Sequence, residues 1–459
     1  MILKVINRKI ILPYWIIARK IVLIHIISES ILCFLFLKIF DEILLNIISK
    51  NSLNFIFINV VWVIISYLTG RYSETNKKFK KTKFYTIIKS IFNLIFSIIF
   101  TSSLFTFFNN YIINIKLSWI DFYNFNNVIV FFAIFCLLSE IIINRLFHKK
   151  NNSRINKWLF LGSKSIEKKL KQKFKIEYKS TEFINIININ NLSKIKGNFS
   201  GIIVEDINHL DSETITKFNK IEGIYPIFSL MEWCEIQLQR YPPELIKDID
   251  FISTSFLIEK NLFQLRIKRL FDFCASIILL ITTFPVIIIC GILIKINDGG
   301  PILYTQTRSG IKGRHFKIIK LRTMKIDAEK EGAQWAKAND KRVTYIGRIL
   351  RKFRLDELPQ LINVITGELS LIGPRPERPE IEAEIKNKIR HYQFRNIIKP
   401  GLSGWAQVNY SYGASLEDAE NKLSYDLFYI RNFNLILDLL IAIKTIKLIS
   451  NASGSEPSK

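Results

Sequence analysis

Four apolar stretches, Ile21 to Phe40, Leu53 to Gly70, Phe84 to Phe108 and Asn127 to Phe147, fill the first third of the chain and restrict its fold more than any other feature. Each approaches the ~20 residues an α-helix needs to cross a hydrocarbon core of about 30 Å. A bilayer offers no water to satisfy backbone polar groups, so such segments must be helical there. The expectation is a four-helix transmembrane bundle over residues 1–150. The loops orient it: Arg71 to Lys83 carries six basic residues, whereas Asp41 to Ser52 and Asn109 to Asn126 carry one Lys each. Positive-inside bias then places both ends of the bundle in the cytoplasm. His25, Glu29 and Glu140 lie in or near the spans. Isolated groups of this kind pair internally or sit near an interface more often than they mark a transport path. Lys4, Arg8 and Lys9 precede the first span without a small-residue cleavage site after it, which reads as a retained membrane segment.

Lys and Arg outnumber Asp and Glu by 65 to 39, a formal charge of +26. Such an excess suits an anionic membrane surface, phosphorylated substrates or nucleic acid. Four spans and the absence of zinc-finger spacing or an aromatic RNA-binding motif argue against nucleic acid. Cys33, Cys136, Cys234, Cys274 and Cys290 are scattered without CxxC spacing, as expected of packing residues.

Residues 151–260 have a soluble, mixed composition. Strand-like runs at Trp158 to Gly162, Gly201 to Glu205 and Gly223 to Phe228 are separated by helical spacing, which predicts a small Rossmann-like α/β module. The first strand is followed by Gly162-Ser163-Lys164-Ser165 with no further glycine. The dinucleotide fingerprint is therefore broken, and a regulatory or packing role is expected.

From Arg266 the chain changes again. Lys268 and Arg269 lead into an apolar run, with a membrane helix expected over residues 270–295 and Pro285 near its middle. If this run crossed the bilayer, Lys312, Arg314, Lys317, Lys320 and Arg322 would all be carried outside, against the charge rule. A mid-run proline removes a backbone hydrogen bond and breaks the helix, so a re-entrant helix that enters and returns is favoured over a spanning one. Beyond it lie glycine turns and cation-dense strands, then Arg351-Lys-Phe-Arg-Leu-Asp356-Glu357-Leu-Pro359-Gln360, Gly373-Pro-Arg375-Pro, and Lys399-Pro-Gly-Leu-Ser-Gly-Trp405. Leu427 to Ile449 has the pattern of an amphipathic interfacial helix, although its apolar face suits a core equally. Residues 451–459 have the composition of a tail.

Taken in order, these motifs resemble the bacterial sugar transferase family, the monotopic phosphoglycosyl transferases acting on polyprenyl phosphate. The resemblance covers Lys268 to about Ile449 and makes residues 261–450 the catalytic domain. Four spans followed by an α/β module resemble its large subgroup, so the expected fold is a membrane protein, α plus α/β. The resemblance implies transfer of a sugar-1-phosphate from a UDP-sugar, a hexose such as galactose or glucose, to undecaprenyl phosphate with release of UMP. That reaction would open exopolysaccharide, capsule or O-antigen synthesis at the cytoplasmic face of the inner membrane, and a homodimer is open. Asp356 aligns with the family's nucleophile, Glu357 with its Mg2+ ligand, Lys320 with an essential lysine and Asp426 with a required aspartate; Arg351, at i to i+5 from Asp356 and so imperfectly stacked on one helix, is placed near the phosphates by the resemblance. Arg375 resembles part of the family's nucleotide pocket, and Gln306, Arg308, Lys268 and Arg269 stand in matching motifs and are expected to bind substrate; Arg322, two residues from Lys320 and on the same face if the segment is a strand, is a second candidate for the diphosphate. Where many relatives have Ser before the helix-breaking proline, Phe284 stands here, and Thr282 or Thr283 would have to bond back along the helix. A non-catalytic scaffold built on a decayed transferase is the alternative, set against the intact Asp356, Glu357, Lys320 and Asp426.

Overall fold

The structure is a computed structural model and describes residues 20–39, 52–68, 95, 98–108, 124–136, 138–139, 156–174, 181–185, 199–205, 226–246, 262–326, 328, 340–410, 413 and 415–450. The basic loop Arg71 to Lys83, Glu140, much of the third apolar stretch, the start of the Gly223 strand and the tail 451–459 lie outside the described residues. The chain divides into two compact units, one of residues 1–156 with 178–182 and the other of 157–177 with 183–459.

In the first unit the described parts of all four apolar stretches are helical: α1 (Lys20–Ile39), α2 (Ser52–Leu68), α3 (Ile98–Phe107) and α4 (Asn124–Cys136). Cys33 and Leu37 of α1, Ile58 and Trp62 of α2, Phe105 of α3 and Phe132 and Cys136 of α4 share one core. Their opposite faces are also apolar, with Ile27, Phe34, Ile56, Val60, Ile99, Phe131 and Phe135 exposed. Helices hydrophobic all round belong to a large core or a lipid surround. The buried Glu29 accepts a hydrogen bond from Trp62 Nε1 at 2.9 Å, so this acid is held inside the helix packing.

The second unit begins with the α/β module. β1 (Asn156–Leu161) is followed by α5 (Lys164–Phe174), β2 (Thr181–Asn185), β3 (Gly201–Val204) and β4 (Ile227–Ser229), in sheet order 2-1-3-4. β1, β3 and β4 pair in parallel. The turn after β1 is closed by the chain itself, because Ser163 N–H donates to Glu205 at 2.6 Å. α6 (Leu230–Trp233) follows β4 with a capping box between Ser229 and Glu232, and runs into a π-helical turn at Cys234–Leu238.

α7 (Leu262–Asp298) is a continuous helix of 37 residues, about 55 Å long at 1.5 Å per residue. Among the described residues it is the helix long and apolar enough to cross a bilayer, and only 17% of its apolar window is buried. The helix is not broken at Pro285, a correction to the sequence expectation: the proline removes one backbone donor, and helical structure continues through it on the bonds of the flanking turns. Thr282 donates to the carbonyls of Ile278 and Leu279, and Thr283 to that of Leu279. These bonds reach carbonyls two and three residues before Ile281, the position whose i+4 donor the proline removes. Near its start, Lys268 pairs with Asp438 at 2.8 Å and Asp272 accepts from Ser370 at 2.7 Å. Near its end, Cys290 and Ile294 pack against Leu321 and Leu350. Both ends of α7 therefore dock on the same globular body, while Ile278, Ile281 and Phe284 between them are exposed.

That body starts with an antiparallel hairpin of β5 (Leu303–Ser309) and β6 (His315–Leu321), in register from Leu303 opposite Leu321 to Ser309 opposite His315. Then come α8 (Tyr345–Lys352), a 3-10 helix (Leu355–Gln360), α9 (Leu361–Thr366), β7 (Ser370–Ile372), α10 (Pro379–Lys388), a second 3-10 helix (Tyr392–Ile397), β8 (Gly401–Ser403), α11 (Trp405–Asn409), α12 (Leu416–Arg431) and α13 (Leu435–Ser450). Alternation along β6 turns Phe316 and Ile318 onto Val364 and Leu369. Leu427 to Ile449 is not one helix, a correction to the sequence expectation. The Asn434 side chain accepts from Leu437 N–H at 2.8 Å and caps a new helix there. Leu427, Phe428, Tyr429 and Ile430 are core, whereas Ile436, Leu439 and Ile446 of α13 are exposed.

Candidate active site

Asp356 and Glu357 sit in the first turn of the 3-10 helix, directly after Arg354, which adopts the left-handed conformation at φ 56°. That reversal ends α8 and aims the carboxylates back under the β5–β6 hairpin. Arg351, in the last turn of α8, is thus on a different helix from Asp356, and the i to i+5 spacing counted along the sequence does not describe their relation. Gly347 makes the approach possible: a Cβ there would lie 2.0 Å from the Thr323 carbonyl oxygen. With α8 seated on that backbone, Arg351 Nε donates to Thr323 Oγ1 at 2.9 Å.

Lys320 comes from the end of β6. Buried Asn363, on α9 behind the carboxylate turn, accepts from Ile319 N–H at 3.2 Å and donates to the Lys317 carbonyl at 2.8 Å. One amide side chain thereby fixes the strand carrying Lys320 against the helix that follows Asp356. The Lys320 ammonium lies 5.1 Å from the centre of the Tyr304 ring, its cross-strand partner. On the same face of β5, Gln306 donates to Tyr304 Oη at 3.1 Å and accepts from Arg308 at 2.7 Å, and Arg308 reaches the Pro376 carbonyl at 3.3 Å.

Glu357 is bound on one oxygen by Arg375 at 2.6 Å, while its other oxygen is 3.5 Å from both Arg375 and Arg354. Burial works to raise its pKa, but Arg375 and Arg354 outweigh it and hold the carboxyl well below the usual range. Asp356 behaves in the opposite way: burial first, then the charge of Glu357, raises its pKa above the ordinary value. Burial, reinforced by Arg308, pushes Lys320 down to about 8. Two adjacent carboxylates driven apart in this manner suit separate tasks, one fixed in charge and one poised to react.

Asp426 stands behind this cluster. It pairs at 2.9 Å with buried Arg395, which also donates to the Arg375 carbonyl at 2.8 Å and to Tyr392 Oη at 2.6 Å. Burial pushes Asp426 up to about 6 against the pull of Arg395. It supports the backbone of the arginine that grips Glu357.

The structure thus brings together Asp356, Glu357, Lys320, Arg351, Arg308 and Arg375, with Gln306 alongside. Other expected binding residues point elsewhere. Arg322, just past the end of β6, pairs with Asp298 at the end of α7. Lys268 is buried against Asp438, and Arg269 donates to the last carbonyls of α9, Val364 at 2.5 Å and Ile365 at 2.7 Å. Sequence reasoning missed Arg354, Asn363, Tyr304 and Arg395. Arg354 lay within the Arg351 to Gln360 motif, but nothing in spacing marked the other three.

Among the described residues no group of three or more His, Cys, Asp or Glu side chains is arranged to cage an ion. The donor set still fits Mg2+, which takes one or two carboxylates together with substrate phosphates and keeps several waters. The more loosely held oxygen of Glu357 is the protein ligand on offer.

Residues 263–452 match the family described as bacterial sugar transferase. A UDP-N-acetylgalactosamine-undecaprenyl-phosphate N-acetylgalactosaminephosphotransferase of Aeromonas hydrophila is 43% identical over 41% of this chain and 45% of its own length. A UDP-glucose:undecaprenyl-phosphate glucose-1-phosphate transferase of Escherichia coli K12 is 37% identical over 39% of each chain. Under half the length of either long relative is spanned by the match. A putative undecaprenyl-phosphate N-acetylgalactosaminyl 1-phosphate transferase of Bacillus subtilis is 50% identical over 30% of this chain and 77% of its own length.

Proposed function

The chain belongs to the bacterial sugar transferase family, and on that footing we propose that it transfers a sugar-1-phosphate from a UDP-sugar to undecaprenyl phosphate, releasing UMP. The observation carrying this reading is the Asp356–Glu357 pair, split in acidity and ringed by Lys320, Arg351, Arg354, Arg308 and Arg375. An Asp356 oxygen attacks the sugar-bearing phosphorus. The bond from that phosphorus to the bridging oxygen breaks, and UMP departs with the electron pair. An oxygen of undecaprenyl phosphate then attacks the same phosphorus and frees the Asp356 carboxylate. Covalent catalysis divides one exchange into two displacements. Lys320 and the arginines bind the diphosphate and offset its charge, since phosphoryl transfer depends on positioning and charge stabilisation. Mg2+, held by Glu357 and the diphosphate oxygens, would supply further charge neutralisation.

The docking of both ends of α7 on one body supports a re-entrant insertion. The first unit, apolar both in its core and on its surface, supports four spans in the inner membrane, with the catalytic body on the cytoplasmic face. For the sugar, the relatives at 43% and 50% identity carry N-acetylgalactosamine names and one at 37% a glucose name. UDP-N-acetylgalactosamine is accordingly the first donor to test, ahead of the glucose and galactose donors that the family resemblance implied.

The test incubates membranes containing the protein with undecaprenyl phosphate and a panel of UDP-sugars, and measures UMP with and without a chelator. Release with one donor, lost on chelation, is expected. Absence of UMP with every donor would overturn the reading.

A further inference from the structure

The segment Cys234 to Leu245 lies outside the family-matched residues 263–452, yet it packs along α12 from Asn421 to Arg431. Trp405 Nε1 donates to the Gln239 carbonyl at 2.9 Å, and Gln239 takes the left-handed conformation at φ 53° to present it. Arg240 donates to Asn421 at 3.2 Å and lies over the Tyr425 ring at 5.5 Å. Tyr241 is fully buried: its N–H donates to the Ser424 carbonyl at 2.8 Å, its ring meets Phe428 at 5.8 Å, and Arg431 lies over it at 5.0 Å. Glu235 closes the strap by accepting from Tyr241 Oη at 2.6 Å.

The contacted positions on α12 are Asn421, Ser424, Tyr425, Phe428 and Arg431, which form one stripe at roughly 100° per residue. By the same spacing Asp426 points almost directly away from that stripe. There it meets Arg395 at 2.9 Å, and Arg395 holds the Arg375 carbonyl at 2.8 Å while Arg375 grips Glu357 at 2.6 Å. The strap therefore lies behind the helix whose front face supports the carboxylate site.

We propose that Arg240 and Tyr241 are positioning residues for the catalytic body: by seating α12 from behind they aim Asp426 at Arg395 and so fix the Arg375–Glu357 pair. The α/β module is then a part of the active-site support, reaching it through residues that the family domain does not contain. Any event that shifts the module relative to α12 changes the site without touching substrate. This rests on the proposed transfer only for its kinetic readout.

Two measurements on the full chain separate the outcomes. In the first, amide hydrogen exchange is compared between the unaltered protein and Tyr241→Leu. Faster exchange at Arg395 and the neighbouring residues of its 3-10 helix, as well as along α12, is expected. Change confined to α12 and the strap would overturn the proposal, and this arm needs no turnover. In the second, UMP release is measured for Tyr241→Leu, Arg395→Lys and the double variant. Coupling of this kind is worth about tenfold in kcat, with the donor KM little altered, and Tyr241→Phe, which keeps the ring and the backbone donor, restores the rate. The double variant is expected to be little slower than Arg395→Lys alone. Independent, multiplying losses would overturn the proposal, whereas no UMP from the unaltered protein would sink the transferase reading and leave the exchange result standing on its own.

Discussion

At the residue scale the site turns on how burial and neighbouring charge separate three ionisable groups. The proposed nucleophile Asp356 must be ionised to attack, and burial with the Glu357 charge raises its pKa, so activity rises with pH through a range above that of an ordinary carboxylate. Lys320 must stay protonated to offset phosphate charge, and its pKa is pushed down to about 8, so activity falls above that point. A bell-shaped dependence of UMP release on pH is expected. Lys320→Arg should remove the alkaline limb, because a guanidinium stays charged beyond about pH 12; an unchanged limb would show that Lys320 is not its source. Asp356→Asn should cost about 10³-fold or more in rate. Arg375→Leu takes the strongest partner from Glu357. A fall of about 10- to 100-fold in kcat/KM is expected from losing a charged hydrogen bond, along with an upward shift in the Glu357 pKa, both read from the pH profile.

At the element scale α7 and its anchors matter most. Lys268 is buried between Asp438 at 2.8 Å and Asp272 at 3.8 Å, and Tyr429 donates to Asp438 at 2.7 Å. Lys268→Met strands buried carboxylates and should destabilise the protein by about 3–5 kcal/mol, measurable as a lowered midpoint of unfolding in detergent. If Lys268 served only a substrate, stability would be unaltered and the lipid-phosphate KM would rise. The docked ends of α7 also make a topological prediction. A cysteine replacing Asn297 should resist a membrane-impermeant maleimide applied to intact cells, and labelling there would rule out the re-entrant arrangement. The apolar run, its proline and its basic flanks were legible along the chain. The docking contacts were not, because Asp438 and Ser370 lie far away in sequence and only folding makes them neighbours of Lys268 and Asp272.

At the scale of the whole molecule, the amino-acid sequence by itself determined the sorting of the chain into apolar helices, an α/β module and a cation-rich C-terminal third. Run length, strand spacing and charge are local properties, and they survive any rearrangement of contacts. It also marked Asp356, Glu357, Lys320 and Arg375, because those residues sit in short motifs whose order carries the family resemblance. Tertiary structure alone decided which charges serve the carboxylates and which serve the scaffold. Arg322 goes to Asp298, Lys268 to Asp438 and Arg269 to the end of α9, while Arg354, Asn363 and Arg395 enter the support of the site. It likewise split Leu427 to Ile449 in two, since the Asn434 cap competes with an otherwise continuous helical pattern. The reason is physical: a buried charge must find a partner at hydrogen-bond distance, and that distance is set by packing among α7, α9, α12 and α13, which no spacing along the chain records.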